Sequence, residues 1–428
     1  MNNVQIPLDT TPVAGNGLLD RRMFLRNGSA IAGAAGILLG TGSARGEILQ
    51  VPTWTKEPVF GFVGYGQPSR FEEVQRGPMP VKNDLYVAGA GVLRSPLHAL
   101  EGTITPSGLH FEITHNGLPD IDPNMHRLVI HGLVKRPMSF TLDALSRYPM
   151  VSRVHFIECA GNSGSLYGPK PTPGTAQTLH GLVSCSEWTG IPLSILLDEA
   201  GLDPKASWIM AEGADPASIT RSIPLAKVMD DVMIALYQNG ERVRPSNGYP
   251  IRLLVPGFQG NSNVKWLRRI KVTNGPSQTR YETSRYSMLL KDGRAAQFKL
   301  QLDAKSVITR PSPGFLMRGP GFYEITGIAW SGNGTVQKVE VSADGGKSWA
   351  EAALSQIVLP KAVTRFRIPW NWDGGPAILQ SRVTDSTGYV QPTRDALIAA
   401  RGTNAFYHCN AIASWSLGTN GELSHVYV

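Results

Sequence analysis

Cys159 is the residue whose type and position in this sequence most clearly suggest chemistry. It follows Val154-His155-Phe156-Ile157, which predicts a short strand, and it opens a segment of small and turn-forming residues that ends at Gly164. A thiol at the end of a strand can face a cleft, where backbone N–H groups of a glycine-rich turn stabilise negative charge. A thiolate is a soft ligand that suits a soft or high-valent metal. On the spacing alone a buried structural cysteine is the commoner case after a strand, and both interpretations stay open on these residues.

The other two cysteines give weaker indications. Cys185 lies in an apolar run and is predicted to pack as a small buried hydrophobe, and Cys409 is interpreted as structural. Because three is an odd number, at least one thiol is free or bound to another group. The sequence has neither a Cys-x-x-Cys pair nor a Cys-x-x-Cys-His haem-attachment motif, which predicts that this chain carries no haem.

The composition is that of an ordinary folded chain. Its 428 residues include 41 basic and 33 acidic side chains, a formal net charge of +8, and 42% of the residues are hydrophobic while 17% are charged. This hydrophobic content excludes disorder as the main state, and the length suffices for about two to three domains. The basic residues form no runs that would follow a phosphate backbone, so nucleic acid is a poor candidate partner. An anionic cofactor or an acidic protein explains the excess charge better.

The amino terminus resembles a twin-arginine export signal. The run Arg21-Arg22-Met23-Phe24-Leu25-Arg26 precedes an apolar stretch at 29–44, and Gly-Ser-Ala-Arg at 42–45 offers small residues for cleavage. The stretch is shorter than the roughly 20 residues of a membrane-spanning helix, and we expect no membrane span elsewhere. The alternative is a chance arginine pair on an N-terminal anchor helix. We expect residues 1–45 to direct an already folded protein to the periplasm, which also predicts a cofactor inserted before export.

The rest of the chain divides into three regions. Residues 46–100 are rich in Pro and Gly and predict an extended arm. Residues 101–295 alternate short apolar strands, such as Leu128-Val129-Ile130 and 251–255, with helical stretches such as 193–200, which predicts an α+β domain.

Residues 296–428 predict a second domain of a different class. The helical period disappears, and strands at 322–330, 336–343, 364–370 and 378–384 have the spacing of an immunoglobulin-like β-sandwich, followed by a C-terminal tail. Asp344-Gly345-Gly346 predicts a hairpin turn. In the strand before this turn, we expect one buried face and one solvated face. The expected buried residues are Val339, Val341 and Ala343, and the expected solvated residues are Lys338, Glu340 and Ser342.

These residues also carry a family resemblance. The run Glu158-Cys159-Ala160-Gly161-Asn162, followed by 248–252 and 264–267, is similar in order and spacing to the sulfite oxidase family of molybdenum enzymes. The resemblance extends from about residue 100 to the end and includes 328–332 and 342–349 of the dimerisation domain. It implies that Cys159 binds molybdenum, whose other sulfur ligands come from one molybdopterin.

The resemblance assigns further residues to the pterin. Asp215 matches an Asp that contacts the pterin, Arg252 matches the Arg after Gly-x-Pro-x, and Asn263-Val264-Lys265 matches the segment that binds the pterin phosphate. These types fit, because guanidinium and ammonium groups bind phosphate and a carboxylate accepts N–H bonds from a pterin edge. The family has His at the position of Asn247. The complete set of cofactor-binding candidates is Thr114, His115, Asn116, Asp215, Asn247, Arg252, Asn263, Val264 and Lys265.

Tyr286 is the second catalytic candidate besides Cys159. It lies 21 residues after Lys265, where the family keeps an active-site Tyr near the metal. The alternative is an ordinary surface tyrosine.

Two arginines of the family's sulfite pocket are missing. Where sulfite oxidases have Cys-Ala-Gly-Asn-Arg-Arg, this chain has Ser163 and Gly164, and where they have Phe-x-x-Arg-Asn-His it has 111–116, with Thr114 in place of Arg. A hydrogen bond from a charged group contributes about 1.5–3 kcal/mol, so losing two weakens binding of a free dianion by several powers of ten. We therefore expect that sulfite is not the substrate.

The ends of the chain indicate a different substrate. Residues 62–71 and 411–428 look like those of the molybdenum subunits of sulfane dehydrogenases in the periplasmic Sox thiosulfate-oxidising system. This resemblance implies oxidation of a cysteine persulfide on a sulfur-carrier protein, with six electrons leaving in three two-electron steps. It also implies a c-type cytochrome subunit as the electron acceptor and a homodimer through the C-terminal domain, which gives a heterotetramer.

Three alternatives remain open on the sequence. One is a periplasmic sulfite dehydrogenase that uses cytochrome c, if Arg280, Arg285 or Arg318 replaces the missing arginines. The second is a reductase that acts on a sulfoxide. The third is a metal-free secreted binding protein that uses the sandwich as its binding surface.

Overall fold

The structure is a computed structural model that describes residues 12–21, 65–69, 71–78 and 90–428. Most of the predicted export signal, including Arg22 and the apolar stretch, lies outside these residues, as does most of the predicted arm. In the described part of the chain, no helix is both long enough and apolar enough to cross a membrane.

Short strands and short helices make up the region between residues 77 and 300. A small antiparallel sheet contains β1 (Gly77–Pro78), β2 (Gly91–Arg94) and β3 (Glu112–Thr114). A second sheet, with order β11-β10-β7-β6 and with β12 paired to β10, contains β6 (Val151–Glu158), β7 (Val183–Pro192), β10 (Met233–Gln238), β11 (Glu241–Arg242) and β12 (Arg252–Leu254). A third sheet, with order β5-β4-β13-β8-β9, contains β4 (Leu128–Gly132), β5 (Met138–Phe140), β8 (Trp208–Gly213), β9 (Thr220–Pro224) and β13 (Leu267–Thr273). The hairpin of β14 (Met288–Leu289) and β15 (Ala295–Ala296) follows.

The helices of this region pack beside the sheets. They are α1 (Leu142–Ser146), α2 (Ala176–His180), α3 (Leu193–Ala200) and α4 (Leu225–Asp231). Thr141 and Thr175 cap α1 and α2 by accepting backbone N–H bonds, and α3 ends at Gly201 with φ 72°. The prediction of a helix at 193–200 and of a mixed α+β domain is confirmed.

Two facing antiparallel sheets form the C-terminal β-sandwich. One has the order β16-β17-β21-β20 and contains β16 (Lys305–Arg310), β17 (Gly321–Trp330), β20 (Ala353–Leu354) and β21 (Thr364–Trp372). The other has the order β19-β18-β22-β23-β24 and contains β18 (Val336–Ser342), β19 (Ala350–Glu351), β22 (Ala377–Asp385), β23 (Ser414–Leu417) and β24 (Leu423–Val426). Trp330, Trp370 and Trp415 are buried between them. The predicted strands and the sandwich are confirmed.

Three details of this region differ from the sequence expectations. A helix, α5 (Arg394–Arg401), interrupts the part of the chain where we expected only strands. Ser342 is buried, because its hydroxyl donates to Asp344 inside the turn and accepts from the turn's backbone. Residues 12–21, which belong to the predicted signal, pack on the sandwich, and Leu18 bridges to Trp370 on β21.

The fold places the end of β6 between the two domains. β6 pairs with β7 along its whole length, so Glu158 is the last residue held by the ladder and Cys159 begins the turn. The Cys159 N–H donates to Leu182 O at 2.9 Å, which fixes the start of this turn. The turn faces a cleft of the first domain on one side and the sandwich on the other.

Candidate active site

A cleft of about 670 Å³, partly open to solvent, lies in front of the Cys159 turn. It is lined by His110, Phe111, Ile113, His115, Ile157, Cys159, Asp215, Ile219, Ser246, Asn247, Arg252, Gly260, Asn261, Asn263, Lys265, Trp266 and Tyr286.

Cys159 is an uncrosslinked thiol at the wall of the cleft. All three cysteines are free, and Cys159 is half-buried while Cys185 and Cys409 are buried. Burial raises the pKa of the Cys159 thiol to about 11, and a hydrogen bond from Gly161 N–H to its sulfur at 3.4 Å acts in the opposite direction. The thiol therefore keeps its proton at neutral pH unless a metal replaces that proton.

Two buried cations line the same cleft. Arg252 donates to Asn247 O at 2.7 Å and to Asn263 O at 3.1 Å, and burial lowers its pKa to about 9. Lys265 donates to Ile113 O and Ser246 O, and burial, together with the charge of Arg252, lowers its pKa to about 7. Asp215 lines the same cleft, but neither cation forms an ion pair with a carboxylate among the described residues, and two buried cations in one cleft favour an anionic ligand.

Several buried polar atoms around the cleft have no hydrogen-bond partner among the described residues. They are His110 Nε2, His115 Nδ1, Arg252 Nε, Ser262 Oγ and both amide atoms of Asn261. Leaving such atoms unpaired is costly, so this set indicates a bound polar group. His110 Nδ1 lies 2.8 Å from Phe111 O, which makes Nδ1 the protonated nitrogen and leaves Nε2 as an acceptor.

The donors and acceptors fit a pterin with a phosphate. Arg252, Lys265 and Asn261 offer N–H groups to phosphate and carbonyl oxygens, while His110 Nε2 and Asp215 accept N–H bonds from a heterocycle. Burial raises the pKa of Asp215, and the Ile219 N–H that donates to it at 3.3 Å opposes that shift. Among the described residues, no group of three or more His, Cys, Asp or Glu side chains could hold a metal ion by itself. A metal whose remaining ligands belong to the cofactor fits this donor set.

Comparisons with known proteins agree with this site. Residues 115–281 match the family described as oxidoreductase molybdopterin binding domain, and residues 296–414 match the family described as Mo-co oxidoreductase dimerisation domain. The fold matches the crystal structure of the sulfane dehydrogenase SoxCD from Paracoccus pantotrophus with a TM-score of 0.85 and 45% identity, covering 89% of this chain and 98% of that chain.

The chain belongs to the sulfite oxidase family of molybdopterin enzymes.

Curated members of the family are more distant. Mitochondrial sulfite oxidase of Mus musculus is 33% identical over 287 residues, which cover 63% of this chain and 52% of that protein. An NADH nitrate reductase of Ulva prolifera is 30% identical over 301 residues, which cover 64% of this chain and 34% of that protein. The chain thus spans about a third to a half of the length of these relatives.

Most of the residues assigned from the family pattern meet in the cleft. Those that line it are Cys159, Tyr286, His115, Asp215, Asn247, Arg252, Asn263 and Lys265. Thr114 is buried at the end of β3, Asn116 lies half-buried in the following turn, and Val264 packs in the hydrophobic core, so these three do not line the cleft. Asn247, at the position of the family His, donates to Gln238 Oε1 at 2.8 Å.

Some residues of the cleft were not predicted from the sequence. His110, Ser246, Asn261 and Trp266 line it without having been assigned. The polar pair Asn261-Ser262 lies in a glycine-containing turn. Such turns approach ligands closely, so this pattern could have predicted a ligand-binding segment. No sequence pattern predicted His110, because its role as a hydrogen-bond acceptor depends on the tautomer that Phe111 O selects.

Tyr286 lines the same cleft as Cys159. Its φ of 56° is in the left-handed region, which is uncommon for a tyrosine, and its Oη lies 3.3 Å from His115 Nε2. Burial raises its pKa well above the ordinary value, and the neighbouring charge of Cys159 acts in the same direction. The guanidinium of Arg221 lies 5.4 Å from the centre of the Tyr286 ring and opposes that shift. Tyr286 is therefore a protonated hydroxyl at neutral pH and can donate a hydrogen bond.

Ser163 occupies the position of a family arginine but does not face the cleft. Its Oγ accepts from Lys305 Nζ at 2.7 Å and lies 2.6 Å from His180 Nδ1, and the residue is buried. None of Arg280, Arg285 and Arg318 lines the cleft in the described part of the chain. The wall next to Cys159 is consequently poorer in cations than a pocket with the family's arginines.

Proposed function

We propose that this protein is a periplasmic molybdenum enzyme that oxidises the sulfane sulfur of a cysteine persulfide held by a sulfur-carrier protein. The observation that carries the proposal is that Ser163 hydrogen-bonds to Lys305 away from the cleft, and that none of Arg280, Arg285 and Arg318 lines the cleft in the described part of the chain. A carrier supplies binding energy through its own surface, so its persulfide arm needs no cation cluster in the cleft. The 45% identity to sulfane dehydrogenase SoxCD over most of the chain supports the same substrate.

Some residues of the cleft bind the cofactor, and others bind the substrate. When bound, the molybdenum centre supplies two-electron oxidation with transfer of an oxygen atom that comes from water. Cys159 provides the protein's thiolate ligand to the metal. Arg252 and Lys265 neutralise the phosphate of the pterin, and Asp215 orients its heterocycle.

Tyr286 acts on the substrate side. Its raised pKa keeps the hydroxyl proton in place, so it donates a hydrogen bond to the terminal sulfur or to the incoming water. His115 Nε2, at 3.3 Å, orients that hydroxyl. Burial lowers the pKa of His115 to about 4, so the ring is neutral at pH 7. In the tautomer with Nε2 protonated, the ring donates to the Tyr286 oxygen and leaves the single hydroxyl proton of Tyr286 for the substrate side.

The overall reaction balances with water as the oxygen source. A persulfide R–S–S⁻ and three waters give R–S–SO₃⁻, six protons and six electrons, in three two-electron steps. We propose that a c-type cytochrome subunit accepts the electrons one at a time. We further propose a homodimer through the C-terminal domain, a heterotetramer with the cytochrome, and export by the twin-arginine route.

A periplasmic sulfite dehydrogenase is the second candidate function. The 33% identity to sulfite oxidase of Mus musculus favours it. The two candidates differ in their need for a carrier.

The test compares two substrates at equal concentration. The purified enzyme with its cytochrome subunit is assayed for cytochrome reduction with persulfidated carrier and with free sulfite. We expect six electrons per persulfide and a kcat/KM for sulfite that is lower by at least about 10²-fold, because two charged hydrogen bonds are missing. Equal or better turnover of sulfite contradicts the proposal, and the unmodified carrier serves as the control.

A further inference from the structure

A buried ion pair lies directly behind the Cys159 turn and joins the two domains. Glu158 is the last residue of β6, and Lys305 is the first residue of β16 in the sandwich. Lys305 Nζ lies 2.8 Å from Glu158 Oε1, and the two side chains are 1% and 5% exposed. Among the ion pairs between described residues, this is the one in which both partners are almost fully buried.

Both charged groups of this ion pair make further hydrogen bonds to neighbouring side chains. Trp330 Nε1 donates to Glu158 Oε2 at 2.7 Å, and Asn162 donates to Glu158 Oε1 at 2.9 Å. Lys305 donates its second bond to Ser163 Oγ at 2.7 Å. Two residues of the Cys159 turn, Asn162 and Ser163, are therefore held by the same charges that connect the turn to the sandwich.

The sandwich also covers the turn with its C-terminal loop. His408 N–H donates to Ala160 O at 2.7 Å, and the ring of Phe406 lies against Gly161, 3.0 Å from where a Cβ would stand. The turn that presents the sulfur is thus fixed by the first domain at Cys159 N–H and by the second domain at the residues on both sides of it.

The energetics of buried ion pairs indicate positioning rather than stabilisation. A buried pair is often no more stabilising than a neutral pair of similar shape, whereas removing one partner leaves an uncompensated charge. Fully hydrogen-bonded buried networks hold a single arrangement of the groups they touch. Here the group between the network and the cleft is the Cys159 turn.

We propose that Lys305 of the dimerisation domain is a positioning residue for the Cys159 sulfur, acting through Glu158 and Ser163. The inference rests on the proposed function in that Cys159 is taken as the metal ligand. The dimerisation domain then does more than associate with a second copy, because it sets the geometry of the thiolate that the molybdenum receives.

The test uses a set of matched variants. Lys305→Met removes the charge and keeps the length of the side chain, and the double variant Glu158→Gln/Lys305→Gln replaces the ion pair by a neutral hydrogen-bonded pair. Lys361→Met is the control. Lys361 forms an ion pair with Asp231 on α4, so this substitution breaks a different ion pair between the same two domains.

Two measurements are made on each variant. In the cofactor-free chain, the alkylation rate of Cys159 by iodoacetamide is followed by mass spectrometry of its peptide. In the molybdenum-loaded chain, the thiolate-to-molybdenum absorption band is recorded at equal metal content. The first measurement does not depend on the substrate, so it remains informative if the carrier persulfide is not oxidised.

We expect Lys305→Met to change the alkylation rate by about tenfold or more and to shift the absorption band, while the double variant restores both toward the wild-type values. The Lys361→Met variant should leave both unchanged. Unchanged alkylation and an unchanged band in Lys305→Met overturn the proposal. Equal effects of Lys305→Met and Lys361→Met also overturn it, because they indicate general loosening between the domains. The proposal is also overturned if the double variant Glu158→Gln/Lys305→Gln shows the same changes as Lys305→Met.

Discussion

At the scale of single residues, Tyr286 is the group whose chemistry can be tested most simply. Its hydroxyl faces the cleft as a protonated donor, so the Tyr286→Phe variant removes one hydrogen bond and little volume. We expect kcat to fall by about 10²-fold with a small change in KM, since a donor that acts mainly in the transition state contributes about this much. Steady-state reduction of the cytochrome measures both constants.

A remote tyrosine provides the control for this prediction. Tyr427 lies near the C-terminal end of the sandwich, and its hydroxyl donates to Ser165 O at a distance of 3.2 Å. The Tyr427→Phe variant therefore also loses one hydrogen bond. Its kcat should match that of the wild type. If Tyr286→Phe retains the full kcat, the assignment of Tyr286 as a catalytic residue is wrong.

The residues of the site could be predicted to different extents. Cys159 stands out by its place after a strand, but only the family pattern separated a metal ligand from a structural cysteine. Arg252 and Lys265 were assigned in the same way, and the structure brings both into the cleft. His110 could not be predicted, because its usefulness as an acceptor depends on a backbone carbonyl and on complete burial.

At the scale of elements, the turn at 260–262 packs against the turn that carries the sulfur. A Cβ on Gly260 would stand 2.9 Å from Glu158 O and 3.3 Å from Cys159 Cα, and both are backbone atoms that cannot move aside easily. We expect Gly260→Ala to destabilise the chain by about 1–3 kcal/mol and to lower the molybdenum content of the purified protein. Urea denaturation and metal analysis measure the two effects.

Gly275 is the matched glycine for comparison. Nothing lies within 4 Å of a Cβ at this position, so Gly275→Ala should leave both stability and metal content close to the wild-type values. A Gly260→Ala protein with normal metal content would show that the two turns are not in contact as described.

The elements themselves were largely predictable from their patterns. Alternation and apolar runs located β17, β18, β21 and β22 to within a few residues, because packing between two sheets imposes a period of two. The helix α5 was missed, since its short sequence carries many charges and buries mainly Leu397. Ser342 was placed on the wrong face, because its hydroxyl satisfies a turn rather than meeting solvent.

At the scale of the whole molecule, buried histidines predict sensitivity to acid. Burial lowers the pKa of His110 and His408 to about 3 and that of His115 and His155 to about 4. In the unfolded chain a histidine has a pKa of about 6.5, so between pH 6.5 and 4 the unfolded state binds more protons than the folded state. The free energy of unfolding should therefore fall as the pH falls through this window, by up to ~1.4 kcal/mol per pH unit for each such histidine.

Urea denaturation between pH 7.5 and 4.5 measures this dependence. His155 lies outside the cleft and contacts Lys361 O at 3.3 Å, so His155→Gln should reduce the slope without removing it. A free energy of unfolding that stays constant down to pH 4.5 contradicts the burial of these neutral rings.

The metal ligand is the claim on which the proposed chemistry depends, and crystallography tests it directly. An anomalous difference map is collected from crystals of the exported, cofactor-loaded protein on both sides of the molybdenum absorption edge. We expect one strong molybdenum peak per chain in the cleft, within bonding distance of the Cys159 sulfur, and its loss or displacement in the Cys159→Ser variant. A loaded, active protein with no such peak beside the Cys159 sulfur would contradict the account.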